Sequence, residues 1–171
     1  MIHTGTRFTL KFFHDHGIQV FHRHVHEQMT KPEWVRILPV RSPYDCYRSW
    51  VRRRAKHMDD KLFISRWATY IFHTEQQDAF YFPLDIHESE RVPMLKAAVE
   101  FIGEKPNMNY IRMYAKDWKR VSPSIREEDR VNDPFPEHMR ELLRFADEWY
   151  DHYTKNWGGR IRNRQNVIGN R

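Results

Sequence analysis

The sequence predicts an α/β fold in which helices flank a central parallel sheet. Short segments rich in β-branched and aromatic residues alternate along the chain with longer segments of helical periodicity. The clearest strands are Val35–Val40 and Ala79–Ile86, and each precedes a helical pattern. The chain has 171 residues and no internal repeat, which suits a single domain, residues 1–171, with one core.

Apolar spacing, proline positions and glycine stops predict the individual elements. The helices are expected at Thr6–His16, after Pro43, and at Leu62–Phe72, Glu90–Ile102 and Glu137–Tyr153. Met1–Thr4 is predicted as a very short strand, Ile18–His24 is β-favourable, and Met108–Asp133 has no clear pattern. In the last helix Trp149 and Tyr153 lie at helical spacing, which indicates core positions.

Composition indicates a soluble globular protein. Hydrophobic residues make up 40%, charged residues 30% and aromatic residues 15%, and the aromatic residues are expected to fill the core. No apolar run is long enough to cross a bilayer, so no membrane partner is expected. Cys46 is the single cysteine, which excludes an internal disulfide framework and favours a reducing, cytoplasmic location.

The net charge of +6 predicts attraction to polyanions. Charge alone does not separate a nucleotide from DNA, RNA or an acidic polysaccharide, and ordinary solubility explains it equally well. Nucleic acid is therefore a partner that the charge allows but does not favour. A homo-oligomer is also left open, because the first strand is thin and aromatic residues are numerous.

A glycine turn opens the first predicted helix, with the sequence His3-Thr4-Gly5-Thr6-Arg7-Phe8. Backbone N–H groups at a helix N-terminus are unpaired and carry partial positive charge, which attracts anions. Gly5 allows close approach, the threonine hydroxyls can donate, and Arg7 offers a fork to phosphate or sulfate oxygens. An ordinary helix cap is the alternative interpretation. The turn is not a Walker A loop, because the second glycine and the Gly-Lys pair are missing.

A second basic cluster follows the strand that ends at Val40. Arg41 lies at the strand end, Pro43 suits the first turn of a helix, and Ser49 comes eight residues after Arg41. Arg41 and Ser49 could therefore converge on one phosphate group. The alternative is an arginine that caps a sheet and a serine on a helix surface.

Together these two motifs resemble those of the P-loop sulfotransferases. In that family a glycine loop holds the 5′-phosphosulfate of the donor, and a strand then ends in Arg-x-Pro with a serine eight residues after the arginine. His3–Phe8 and Arg41–Ser49 match these motifs in order, and Tyr81–Ile86 with Leu95–Gly103 resembles the family's later strand and helix. The resemblance covers roughly residues 1–105 and implies a P-loop-type three-layer fold. His3 stands where the family usually has lysine.

The resemblance implies sulfuryl transfer from 3′-phosphoadenosine-5′-phosphosulfate to an unidentified hydroxyl or amine acceptor, with 3′-phosphoadenosine-5′-phosphate as the product. His24 would be the general base, and His3 would stabilise charge on the leaving phosphate. The donor site would comprise the glycine turn with Arg41 and Ser49, and no metal would be required. Arg160 and Arg162 would belong to a late basic loop that closes over the donor, although residues 156–171 also fit a flexible tail.

Alternating histidines at His22, His24 and His26 would share one side of a strand. A general base is one interpretation, because histidine suits proton abstraction near neutral pH. A metal site is the second, with Glu27, His57 or His73 as a further ligand, and exposed structural histidines are the third. For the whole chain, the alternatives to a sulfotransferase are a non-catalytic nucleotide- or nucleic-acid-binding module and a divergent P-loop kinase.

Overall fold

The computed structural model describes residues 6–21, 35–54, 59–75, 78–118 and 136–160. These residues form six helices and three strands in mixed α/β order. In chain order the elements are α1 Thr6–Asp15, β1 Ile37–Val40, α2 Pro43–Arg54, α3 Asp60–Glu75, β2 Ala79–Pro83, α4 Glu88–Phe101, α5 Met108–Lys116, α6 Glu137–Lys155 and β3 Gly158–Arg160. Among them, no helix has the length and apolar character that crossing a membrane requires.

The three strands form one sheet in the order β1-β2-β3. β1 and β2 are parallel, with Leu38 opposite Tyr81, and β2 and β3 are antiparallel, with Tyr81 opposite Gly158. The described sheet is therefore mixed, whereas the sequence predicted a parallel one. The difference comes from α6, which brings the chain to the middle of β2, where Tyr153 stacks on Tyr81. From there β3 runs towards the amino end of β2 at Ala79.

Alternation along the strands divides the interior into two cores. Leu38, Val40 and Tyr81 face one side of the sheet, where they pack with buried residues of α2, α3 and α6. We name this cluster the first core. Phe80 and Phe82 face the other side and pack with α1, α4 and α5 in the second core. Helices therefore cover both faces of the sheet, which gives three layers.

Aromatic side chains fill both cores, as the composition predicts. The largest fully buried side chains include Trp50, Trp67 and Phe63 in the first core and Phe12 and Phe13 in the second. Edge-to-face pairs are common, for example Phe12 with Phe13 at 5.0 Å between ring centroids. Such pairs contribute about 0.5–1.5 kcal/mol beyond the burial of their area.

The five helices predicted from the sequence are confirmed, each with ends close to the expected ones. Three segments differ. Ile18–Phe21, the described part of a β-favourable stretch, forms no strand. α5 occupies part of Met108–Asp133, a segment in which the sequence shows no clear helical or strand pattern. The basic tail expected from residue 156 contains β3 at its start. Met1–Thr4 lies outside the described residues.

Candidate nucleotide-binding site

The carboxyl ends of β1 and β2 meet at one edge of the sheet. Val40 leads into Arg41 and Ser42, and Leu84 and Asp85 follow β2. The backbone N–H of Leu84 donates to the Val40 carbonyl oxygen at 2.9 Å, so the parallel pairing continues to this point. We name Arg41, Ser42, Leu84 and Asp85 the carboxyl edge. Ligands of open α/β sheets bind beyond such strand ends.

α2 begins at the carboxyl edge, so its unpaired N–H groups and the positive end of its dipole lie there. The Ser42 N–H donates to Asp85 Oδ2 at 3.1 Å, and Asp45 lies buried in the first helical turn. Asp45 Oδ1 also pairs with Arg48 Nη1 at 3.8 Å. Carboxylates thus already complement this helix start, and the sequence did not predict Asp85 as a site residue.

Arg41 and Ser49 are both half-buried. The positive charge of Arg41 reaches the Cys46 thiol, where it lowers the pKa, but burial is the larger effect and raises the pKa well above its usual value. Cys46 is therefore a protonated core residue and not a nucleophile. Ser49 lies two turns into α2, about 9 Å along the axis from Pro43.

The first turn of α1 packs next to the carboxyl edge. Phe8 is buried, and its ring centroid lies 4.5 Å from that of Trp118. Trp118 Nε1 donates to the Leu84 carbonyl oxygen at 2.9 Å. Since Leu84 also pairs with Val40, the starts of α1 and α2 and the ends of both parallel strands meet around this one residue.

Two polar atoms near this junction are buried without a hydrogen-bond partner in the part of the chain that the structure describes. One is Thr9 Oγ1, in the first turns of α1, and the other is Arg91 Nε on α4. The Arg91 guanidinium carbon lies 5.5 Å from the centroid of the Trp118 ring, which is cation–π distance. Arg91 is a second arginine beside the junction that the sequence did not single out, because only the fold brings α4 to Trp118.

Several predicted site residues lie outside the described part of the structure. They are His3, Thr4, Gly5, His24 and Arg162, together with the side chains of Thr6, Arg7 and Arg160. The backbone of Thr6 and Arg7 begins α1, as predicted. Phe8 is described in full, and its ring packs within the second core. Its assignment to donor binding stays a prediction.

Arg160 lies far from the carboxyl edge along the sheet. Its Cα pairs with that of Ala79, at the amino end of β2. Leu84 is five positions after Ala79, which corresponds to about 16 Å of strand. This backbone position does not favour a contact between Arg160 and a donor held at the carboxyl edge.

The metal interpretation of the histidine strand depends on residues that the structure does not describe. His22, His26, Glu27 and His57 belong to that part of the chain, whereas His73 lies on α3. Within the described ranges, no three His, Cys, Asp or Glu side chains are grouped so that they could hold a metal ion.

Comparisons with protein-family models, with curated proteins and with solved structures found no match for this chain. A function for the chain therefore has to be argued from the chemistry of its own residues.

Proposed function

We propose that the chain binds 3′-phosphoadenosine-5′-phosphosulfate at the carboxyl edge and transfers the sulfuryl group to a hydroxyl or amine acceptor. The observation that carries the proposal is the junction at Leu84, where the starts of α1 and α2 meet the ends of two parallel strands. The start of α1 offers one place for an anionic group, Arg41 beside the carboxylate-complemented start of α2 offers a second, and the donor carries phosphate at both the 3′ and the 5′ position.

The side chains at the junction support an anionic ligand. In this proposal Arg41 and Ser49 hold the 3′-phosphate, and the N–H groups at the start of α1 hold the 5′-phosphosulfate. Thr9 Oγ1 and Arg91 Nε are buried, so they take no part in this donor set. Asp85 repels an anion, and its carboxylate accepts a hydrogen bond from the Ser42 N–H. On balance the donor set fits the group.

The fold belongs to the same proposal. We expect the strand predicted at Met1–Thr4 to add to the parallel pair, which would make a P-loop-type sheet with β3 at its edge. His3, near the end of that strand, and Gly5, directly after it, would then lie at the carboxyl edge as well.

The mechanism assigns each chemical task to a residue of this chain. His24 takes the proton from the acceptor hydroxyl or amine as the new bond to sulfur forms. The bound phosphosulfate supplies the sulfuryl group and leaves as the phosphate of 3′-phosphoadenosine-5′-phosphate. His3 and the N–H groups of Thr6 and Arg7 stabilise the negative charge that develops on this leaving phosphate.

Ligand selectivity tests the binding half of the proposal. Thermal stabilisation should be larger with 3′-phosphoadenosine-5′-phosphate than with ADP or ATP, because only the first ligand carries a 3′-phosphate for Arg41. Arg41→Ala should weaken this ligand roughly 10- to 100-fold, the value of a hydrogen bond to a charged group, and should leave AMP nearly unaffected. Arg112→Ala, at an exposed arginine of α5, is the matched control.

A second experiment, on the His24 variant, separates donor binding from turnover. His24→Ala should abolish sulfuryl transfer to a panel of hydroxyl and amine acceptors and should keep normal affinity for 3′-phosphoadenosine-5′-phosphate. His14→Ala, at an exposed histidine of α1, controls for loss of an imidazole. Selective stabilisation by ATP with Mg²⁺ would favour a kinase. Binding to DNA or RNA that weakens steeply with salt would favour a nucleic-acid-binding module.

A further inference from the structure

We propose that the exposed face of α3 is an interface at which two copies of this chain pack with their α3 helices antiparallel. The face is formed by Leu62, Ser65, Thr69 and Phe72, which we name the α3 stripe. Steps of three and four residues place these side chains on one side of the helix. All four are exposed, Leu62 to 43% and Phe72 to 62%.

Exposed apolar surface is concentrated around the α3 stripe. Within the described residues, seven large apolar side chains are exposed, and four of them lie on α3 and α6. The two on α6 are Leu142 and Phe145, which are 47% and 37% exposed. Apolar residues that cluster at a surface mark interaction sites, whereas scattered single ones are ordinary. The outer surface of α3 and α6 is therefore a candidate interface.

α6 packs beside α3 and widens this apolar surface. The ring centroids of Trp149 on α6 and Trp67 on α3 lie 6.0 Å apart, so Trp149 faces α3. Phe145 and Leu142 precede Trp149 by four and seven residues, which places them on the same side of α6. Both side chains therefore lie next to α3 and extend the apolar surface beside the α3 stripe.

The α3 stripe carries no charge, although the exposed face of a surface helix is usually charged or polar. Lys61 lies to one side of the stripe, where its ammonium group can stay in solvent. The whole chain has a net charge of +6, so two copies repel each other over most approaches. An uncharged face lets two copies meet without placing like charges at the centre of their contact.

The spacing of the α3 stripe is the same in both directions along the helix. The successive steps from Leu62 through Ser65 and Thr69 to Phe72 are three, four and three residues, with large side chains at the ends and small ones between. In an antiparallel pair related by a two-fold axis, Leu62 meets the partner's Phe72 and Ser65 meets the partner's Thr69. Such a contact is self-complementary. This symmetry favours a second copy over an unrelated protein, which would not require it.

The centre of the α3 stripe can be buried at low cost. Thr69 Oγ1 already donates to the Ser65 carbonyl oxygen at 2.9 Å, so this hydroxyl keeps a partner when water leaves. Small side chains there also let two helix axes approach to about 8–10 Å. α3 is about 24 Å long, and with the adjoining surface of α6 it offers about 500 Å² per copy. A total of about 1,000 Å² is at the low end for specific interfaces, so we expect a weak dimer.

Sedimentation velocity of the full chain between about 10 µM and 1 mM tests the self-association. The average mass should rise with concentration towards that of a dimer. Raising the salt concentration from about 0.05 M to 0.5 M should strengthen the dimer, because salt screens the repulsion between two basic chains. A chain that stays monomeric at about 1 mM would overturn the proposal, and so would association that weakens as salt is added.

Charges introduced into the α3 stripe locate the interface. Ser65→Lys and Thr69→Glu should each weaken dimerisation at least about tenfold, because the new charges lose water without gaining a partner. An equimolar mixture of the two variants should recover a heterodimer, since the introduced lysine of one copy faces the introduced glutamate of the other. Asn109→Lys, at an exposed position of α5, is the matched control and should leave dimerisation unchanged.

Dimerisation that both variants leave intact would place the contact on another face and overturn the proposal. A mixture no more dimeric than either variant alone would exclude the antiparallel arrangement. Circular dichroism identifies a variant that fails to fold. In that event Phe72→Lys, at the most exposed position of the α3 stripe, tests the same face and should also weaken the dimer.

Discussion

Tyr110 is a residue at which local burial produces a measurable dependence on pH. Its hydroxyl donates to the Phe12 carbonyl oxygen at 3.1 Å, which joins α5 to α1. Burial and, to a smaller degree, the nearby Asp15 carboxylate raise the pKa of Tyr110 to about 12. An unfolded tyrosine titrates near pH 10. The protonated phenol of Tyr110 therefore stabilises the folded state below about pH 10, and this contribution is lost as the pH rises towards about 12.

We predict that Tyr110→Phe lowers the free energy of unfolding by about 1 kcal/mol at neutral pH, because a hydrogen bond is lost. Between about pH 10 and pH 12 the variant should lose less further stability than the unaltered protein, since it no longer holds this proton in the folded state. Urea unfolding at pH 8, 10 and 11.5 measures both effects. Parallel declines in the two proteins would show that Tyr110 does not titrate abnormally.

Predictions for single residues succeeded where burial follows from the local helical spacing. Helical spacing alone placed Trp149 and Tyr153 in the core, and each is 7% exposed. The same spacing does not predict the hydrogen bond that the Tyr153 hydroxyl donates to Glu75 Oε1, because Glu75 is 78 residues away along the chain. Arg91 escaped notice for the same reason, since its neighbour Trp118 lies beyond the end of α5, far along the chain.

At the scale of elements, the sequence predicted helices better than strands. The exception is α5, which lies in the segment Met108–Asp133, where the sequence predicts no element, although in the structure the Asn107 side chain caps its start and Ile111, Tyr114 and Ala115 form a buried stripe. β3 has no such pattern, since Gly-Gly-Arg lacks the β-branched and aromatic residues that mark strands. Its place in the sheet depends on tertiary contacts that a local pattern does not contain.

Gly159 of β3 packs closely against the ring of Phe101 on α4. A Cβ at this position would lie 2.5 Å from the ring of Phe101 on α4, closer than packed atoms approach. We predict that Gly159→Ala destabilises the protein by about 1–3 kcal/mol, the usual cost of overpacking. Phe101→Ala removes the ring, so the same glycine substitution in that background should cost much less. Thermal or urea unfolding of the four proteins measures this coupling, and additive effects would contradict the contact.

At the scale of the whole molecule, the sequence predicted the α/β class and missed the strand directions. Alternating strands and helices indicated a parallel sheet, which β1 and β2 form. β3 is antiparallel because α6 places it beside Tyr81 on a course towards Ala79. The sequence also predicted one core, whereas the sheet divides the buried side chains into two. β2 takes part in both cores, through Tyr81 on one face and Phe80 on the other.

Because both cores share β2, we predict that the two halves of the interior unfold together. In a background in which Trp34, Trp118 and Trp157 are replaced by phenylalanine, Trp50, Trp67 and Trp149 report on the first core through fluorescence. Phe12→Leu, in the second core, should lower the free energy of unfolding by about 1–3 kcal/mol and shift the urea midpoint of this fluorescence as much as that of circular dichroism. Phe63→Leu, in the first core, is the matched variant and should shift both signals alike. If Phe12→Leu moved the circular dichroism midpoint and left the fluorescence midpoint in place, the cores would be separate folding units, and β2 would not couple them.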